Sequence, residues 1–287
     1  MSFIYHLIST ILLFWHSAWD RLLDAPHALA TDWAWVLGIV FLVLTIRVVL
    51  FPLFLRQVRS QQAIQRLQPR FKELQAEHQG DRVTLQKELA ELYRREKASP
   101  FGALLPMLVQ IPIFIGLLHV LRHLNPAITD PGTRTLYGWS EAQFADASRA
   151  ELFGAPIAAG FNSGIGTVHV VAGVLIVAMI VTTFLTSRMS ILKTGWSENP
   201  QQRTVQRVML YGIPLSLLVS GFIFPVGVIV YWTTQNLFAL GQQIWLNRRY
   251  PATPPVEPAA PAVPAVRAAT TAPQVGAKPN RGRRASR

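Results

Sequence analysis

Arg47 lies inside an apolar run, residues 33–55, that is long enough to cross a bilayer. A guanidinium keeps its charge at every accessible pH and presents its N–H donors as a rigid fork. Holding it at such depth costs about 2.5–3.5 kcal/mol on insertion scales. No Asp or Glu occurs in this run or in the other apolar runs of the chain, so an ion pair within the membrane has no second partner. A cation so placed faces a wet cavity and attracts anions. Gln110 stands in a second apolar run, and Tyr231-Trp232-Thr233-Thr234-Gln235-Asn236 in the last one. Hydrocarbon offers no hydrogen bonds, so these groups need water or one another. The chemistry they describe is non-covalent: a polar lining at membrane depth with one fixed positive charge. Gln110 also suits an interhelical hydrogen bond, and Tyr231 and Trp232 an interfacial aromatic belt.

Covalent and metal chemistry find little support. The chain has no cysteine, which removes disulfides, thiolate ligands and Cys nucleophiles. The histidines (His6, His16, His27, His78, His119, His123, His169) lack metal-ligand spacing, and no Ser, His and carboxylate set suggests a nucleophile with its base. No glycine-lysine phosphate loop occurs either. We therefore expect no enzyme activity, no metal and no cofactor.

The elements that must position the polar groups follow from composition. Of 287 residues about half are hydrophobic and only 15% charged, yet the formal net charge is +12. Charge that sparse is low for a soluble domain and is explained by long apolar runs. Five spans are expected, at 33–55, 100–122, 165–187, 208–224 and 226–246, which makes the fold an all-α polytopic membrane protein with a five-helix transmembrane core. Basic residues crowd the segments 56–99 and 188–207 and the tail 247–287, whereas 123–164 is mainly acidic. The positive-inside rule then places the start of the first span and the 123–164 loop outside, and the C-terminus in the cytosol.

Residues 1–32 carry Ile4, Leu7, Ile8, Ile11, Leu12, Trp15 and Trp19 at helical spacing. An N-terminal interfacial helix and a sixth span both satisfy the charge rule. In 56–99, Ile64, Leu67, Phe71 and Leu74, then Leu85, Leu89 and Leu92, describe a helical hairpin with one apolar seam, kinked at Pro69 and capped by Asp81. It reads as a solvated spacer or as a docking arm. The Ala- and Pro-rich tail lacks large apolar residues and is expected to be disordered. Its basic end, with Arg281, Arg283, Arg284 and Arg287, suits ribosomal RNA, anionic lipid or a simple topological anchor.

The motifs around these residues resemble YidC-type membrane protein insertases, in particular members from high-GC Gram-positive bacteria. The resemblance rests on Ile46-Arg47-Val48-Val49-Leu50-Phe51-Pro52-Leu53, on Leu67-Gln68-Pro69, and on Leu105-Pro106-Met107-Leu108-Val109-Gln110-Ile111-Pro112. It continues in Phe224-Pro225-Val226-Gly227-Val228-Ile229-Val230-Tyr231-Trp232 with Gln235-Asn236. It implies a hydrophilic groove open to cytosol and lipid and closed outside. Arg47, Gln110, Tyr231, Trp232, Gln235 and Asn236 would line it, and Pro52, Pro69, Pro106, Pro112, Pro225 and Gly227 would shape it. It further implies insertion and chaperoning of nascent membrane proteins, alone or with the Sec translocon. The alternative is a polytopic transporter or channel, which shares broken, proline-containing helices. The sequence departs from Gram-negative members in having no large extracytoplasmic domain before the core. It also has a long 123–164 loop containing Leu152-Phe153-Gly154-Ala155-Pro156-Ile157.

Overall fold

The computed structural model describes residues 2–24, 27–78, 80–96, 105–197 and 200–249. Within these the chain is helical apart from one small hairpin and short connections. The tail from 250 onward, the last residues of the 56–99 segment and the first of the expected span 100–122 fall outside the described residues.

Helix α1 (Ser2–Leu22) buries Ile8, Ser9 and Leu12 against the bundle and leaves Phe3, Leu7 and Phe14 exposed. It packs on α2 (Trp33–Val49) and α6 (Leu105–His123). It is not among the helices long and apolar enough to cross a membrane.

The stretch 33–55 of the first expected span holds two helices and not one. Helix α2 stops at Val49, and α3 (Phe51–Arg66) departs from it at 54°. Pro52 explains the break: it has no N–H for the Val48 carbonyl, and its ring would collide with that carbonyl in a continuous helix. Leu50 caps α2 through its own N–H to Ile46 O, and Phe54 N–H reuses the Leu50 carbonyl.

Helices α4 (Gln68–Glu77) and α5 (Arg82–Arg95) follow α3 and pack on each other. Pro69 sits in the first turn of α4, just past the break at Leu67, where a proline is tolerated. The Asp81 carboxylate accepts from the N–H groups of Val83 and Thr84 and from the Thr84 hydroxyl. The apolar seam residues Ile64, Leu67, Phe71, Leu85, Leu89 and Leu92 are only half-buried.

Beyond α6 the long loop is folded. It contains α7 (Pro131–Arg134), α8 (Glu141–Arg149) and the antiparallel pair β1 (Glu151–Leu152) and β2 (Ala155–Pro156). Asp32, at the entry to α2, is stitched to this loop. Its carboxylate accepts from Glu151 N–H at 2.6 Å and bonds the His27 ring, and its own N–H donates to Glu151 O.

Helix α9 (Gly166–Thr194) runs from that loop to α10 (Pro200–Arg207). A π-helical turn at Val208–Gly212 joins α10 to α11 (Ile213–Ile223). Pro214, in the first turn of α11, cannot donate to the Leu210 carbonyl, which accounts for the irregular ladder there. Helix α12 (Val226–Arg249) packs on α9 and α2 and touches α6, whereas α11 lies on α9.

Helices α2, α6, α9, α11 and α12 thus run alternately between two ends, a long-loop end and a hairpin end. By length and composition α9 (Gly166–Lys193) and the run Pro200–Ile223 qualify as membrane spans, and α2 with α3 qualifies as a bent pair. The apolar part of α6, Leu108–His123, is shorter than the span length, and α12 carries too many polar groups to qualify. Exposed Val170, Val174, Val177, Val181 and Leu185 form a stripe along α9 suited to lipid. The protein is an all-α, multi-pass membrane protein.

Candidate functional site

Burial stops part-way along three helices, α2, α6 and α12, the last of which packs on the other two. On α2 the buried residues end at Val43. On α12 they end at Gln235. On the oppositely directed α6, described side chains up to Ile115 are exposed or half-buried, and burial starts at Gly116. The long-loop half is a filled core of Trp35, Ile39, Leu42, Leu117, Leu121, Trp139, Phe144, Val226 and Val228. Toward the hairpin end the side chains of these three helices become exposed or half-buried, and the polar residues lie near that change.

The core's closure at the long-loop end has local causes. The first N–H groups of α12 have no helical partner, as at any helix start. The loop supplies them: Val226 N–H donates to Ala159 O and Gly227 N–H to Ile157 O, both at 2.9 Å. Gly227 allows the approach, since a Cβ there would lie 2.5 Å from Ile157 Cγ2. Trp35 stacks on Trp139 and donates its indole N–H to Asp146, while Trp139 donates to the buried Ser9 hydroxyl. Pro225 ends the preceding turn, and its carbonyl accepts from Val228 and Ile229.

The polar boundary is built on one stripe of α12. Tyr231, Gln235, Phe238 and Gln242 recur at four-, three- and four-residue spacing and therefore share a face. Arg47, in the last turn of α2, meets this stripe. Its Nε donates to Gln235 Oε1 at 2.7 Å, its Nη1 reaches Gln242 Oε1 at 3.4 Å, and its guanidinium lies 5.5 Å from the Phe238 ring centre. On α6, two residues before Pro112 within the helix, Gln110 donates to the Tyr231 hydroxyl at 2.6 Å. Pro106 falls in the first turn of the same helix.

The six residues expected to line a groove therefore divide. Arg47 and Gln235 pair, as do Gln110 and Tyr231, on one shared seam. Trp232 is turned from it and stacks on Phe114 at 5.0 Å, edge-on to Phe224. Asn236 is half-buried beside the stripe. Gln242 and Phe238 belong to the site and were missed, although their spacing from Gln235 on a single helix face was the signal. In α9 the hydroxyls of Thr182 and Thr186 bond their own helix backbone, and the buried Thr183 hydroxyl has no partner. Among the described residues no cluster of three potential metal-ligating groups occurs.

Arg47 lies about 21 Å along the helix from Trp33 at the usual rise, against a hydrocarbon thickness of roughly 30 Å. Its Nε and Nη1 meet amide oxygens and its face meets a ring, which leaves the charge uncancelled.

A sequence profile of the family described as 60Kd inner membrane protein matches residues 27–253. The chain belongs to this family. Membrane protein insertase YidC of Streptomyces avermitilis is 33% identical over 264 residues, 87% of this chain and 59% of that protein. The Mycobacterium tuberculosis YidC is 32% identical over 304 residues, 98% of this chain and 81% of that protein. The YidC of Tropheryma whipplei is 31% identical over 264 residues, 86% of this chain and 83% of that protein. The chain thus spans less than two thirds of the Streptomyces YidC and about four fifths of the other two. A crystal structure described as an active YidC insertase with its first transmembrane domain resolved is 22% identical, with a TM-score of 0.49 over 83% of this chain and 46% of that one.

Proposed function

We propose that this YidC-family chain inserts membrane proteins by offering their polar segments a hydrated half-path through the bilayer. The start of α2 and the folded loop lie outside, and the hairpin α3–α5 and the C-terminus lie in the cytosol. Five spans, 33–55, 100–122, 165–187, 208–224 and 226–246, form the core, with the first bent at Leu50 and α1 lying at the outer interface. A nascent chain reaches the hairpin, and its outward-bound polar segment enters the inner half beside these polar groups. There Arg47 attracts acidic side chains, and water with the Gln110, Gln235, Gln242 and Tyr231 groups replaces part of the segment's hydration. The barrier falls because polar backbone and charge avoid full transfer to hydrocarbon. The segment's apolar flanks then partition into lipid, driven by burial in hydrocarbon.

The observation that carries this reading is that burial stops part-way along α2, α6 and α12, and that Arg47, past that point on α2, is bonded to neutral partners. A filled outer half speaks for a groove through part of the membrane and against a pore across it. The Sec translocon, anionic lipid and, through Arg281, Arg283, Arg284 and Arg287, the ribosome are the further partners we assign.

The test is insertion of a single-span substrate with an acidic outer segment by Arg47→Ala and Arg47→Lys variants in reconstituted vesicles. Arg47→Ala should lose most insertion, and Arg47→Lys should recover part of it, keeping charge without the bidentate fork. Normal insertion by a folded Arg47→Ala protein would refute the anion-attracting role.

A further inference from the structure

The β1–β2 turn presents a bulky apolar side chain where the backbone favours a small polar one. Phe153 and Gly154 both have positive φ, 50° and 75°. Two-residue hairpin turns of this kind strongly prefer Asn-Gly or Gly-Gly. Phe153 nonetheless occupies the first position and is half exposed, at 50%. Leu29, in the segment that pairs with this turn, repeats the pattern with φ 57° and 76% exposure. Exposed apolar residues held in a left-handed backbone are costly twice over, in conformation and in solvation.

Several bonds hold them there. Phe153 N–H donates to the Thr31 hydroxyl at 2.9 Å, and Gly154 N–H donates to Ala30 O at 2.7 Å. The Gly154 carbonyl accepts from the Thr167 hydroxyl at 2.7 Å. Phe153 also meets Trp33 edge-on, with ring centres 6.0 Å apart. Trp33 is the first residue of α2 and Thr167 lies in the first turn of α9, so the turn is fixed to the starts of two membrane-crossing elements at once.

We infer that Phe153 and Leu29 form an apolar tip that inserts into the lipid interface at the long-loop end and sets the height of α2 in the bilayer. The occupant is lipid, because the tip is tied through Gly154 to the start of α9, whose exposed Val170 and Val174 suit lipid, and because Trp33 beside Phe153 suits the headgroup level. Through the rigid rise of α2, the same contact sets the depth of Arg47. The inference rests on the membrane placement of α2 and α9 and is independent of the insertase reading.

The absence of native cysteine permits single-site labelling. Bimane attached at Phe153→Cys, and separately at Leu29→Cys, would be followed in phosphatidylcholine–phosphatidylglycerol vesicles containing lipids brominated near the glycerol end of the acyl chain. Lipid should quench both labels, and aqueous iodide should quench them weakly. Strong iodide quenching without lipid quenching overturns the inference. So does self-quenching that grows with protein density while lipid has no effect, since a second copy would then cover the tip. Phe153→Asn, which suits a positive φ, gives an independent arm. It should raise the melting temperature in detergent and reduce lipid quenching of the label at Leu29. A lowered melting temperature would make Phe153 a packing residue and refute the assignment.

Discussion

Arg47 donates its Nε–H to Gln235 Oε1 at 2.7 Å, so a permanent cation within a membrane bundle is held by a neutral amide and not by a carboxylate. Neutral partners keep the guanidinium in place and leave its charge available. Gln235→Glu should turn this contact into an internal ion pair. We expect the melting temperature in detergent to hold or rise while insertion of substrates with acidic outer segments falls. Gln235→Ala should instead lower stability by about 1.5–3 kcal/mol, the worth of a hydrogen bond to a charged group. Thermal unfolding and vesicle insertion, measured on the same preparations, separate the two effects.

Gln110 and Tyr231 make the second bond of the seam. Tyr231→Phe removes the acceptor and should cost about 1 kcal/mol, with Gln110→Leu costing a similar amount. In a double-mutant cycle the combined variant should lose less than the two single losses added, because both remove one bond. Strict additivity would show that the 2.6 Å contact does not stabilise the fold.

Gly227 controls how closely the loop seals α12. Gly227→Ala would drive a methyl group to 2.5 Å from Ile157 Cγ2, and the shift needed should cost about 1–3 kcal/mol. Adding Ile157→Ala should remove part of the penalty attributable to crowding. The readouts are the melting temperature and the hydrogen exchange of the Val226 and Gly227 amides.

The turn before α5 should respond to acid. Asp81 is held below the usual carboxylate range, first by the Thr84 hydroxyl and then by the N–H groups of Thr84 and Val83. Its folded-state pKa is thus below its unfolded one. Its stabilising contribution is complete above the unfolded value of about 3.9 and disappears as pH falls through the folded value. Amide protection in the first turn of α5, corrected for intrinsic exchange, should fall across that window in the native chain. In Asp81→Asn, whose side chain still accepts from the helix start without titrating, it should stay level.

The helical membrane class was legible because apolar length is a local property of the chain, and Arg47 stood out locally as a charge with no carboxylate in its run. The break after Val49 was also written locally, in Pro52, but a continuous apolar run from 33 to 55 conceals it when hydropathy alone is followed. Gln242 and Phe238 lay outside the family-like motif, although the three-and-four spacing from Gln235 places them on its face. The long loop was opaque for a different reason. Asp32 finds Glu151, and Gly227 finds Ile157, across long stretches of sequence, and no local pattern announces such pairs. The pairing of Arg47 with amides was equally hidden, since composition shows that carboxylates are lacking but not which neutral group replaces them.

The central claim is that polar segments of substrates occupy the inner half of the core and stop at the filled outer half. A photoreactive residue at Gln242, compared with one at buried Ile39, tests it most directly on ribosome-stalled nascent chains carrying a single span. The account predicts crosslinks to the nascent chain from position 242 and none from position 39. Crosslinks to lipid alone at position 242, or equal crosslinking to the nascent chain from both positions, would contradict it.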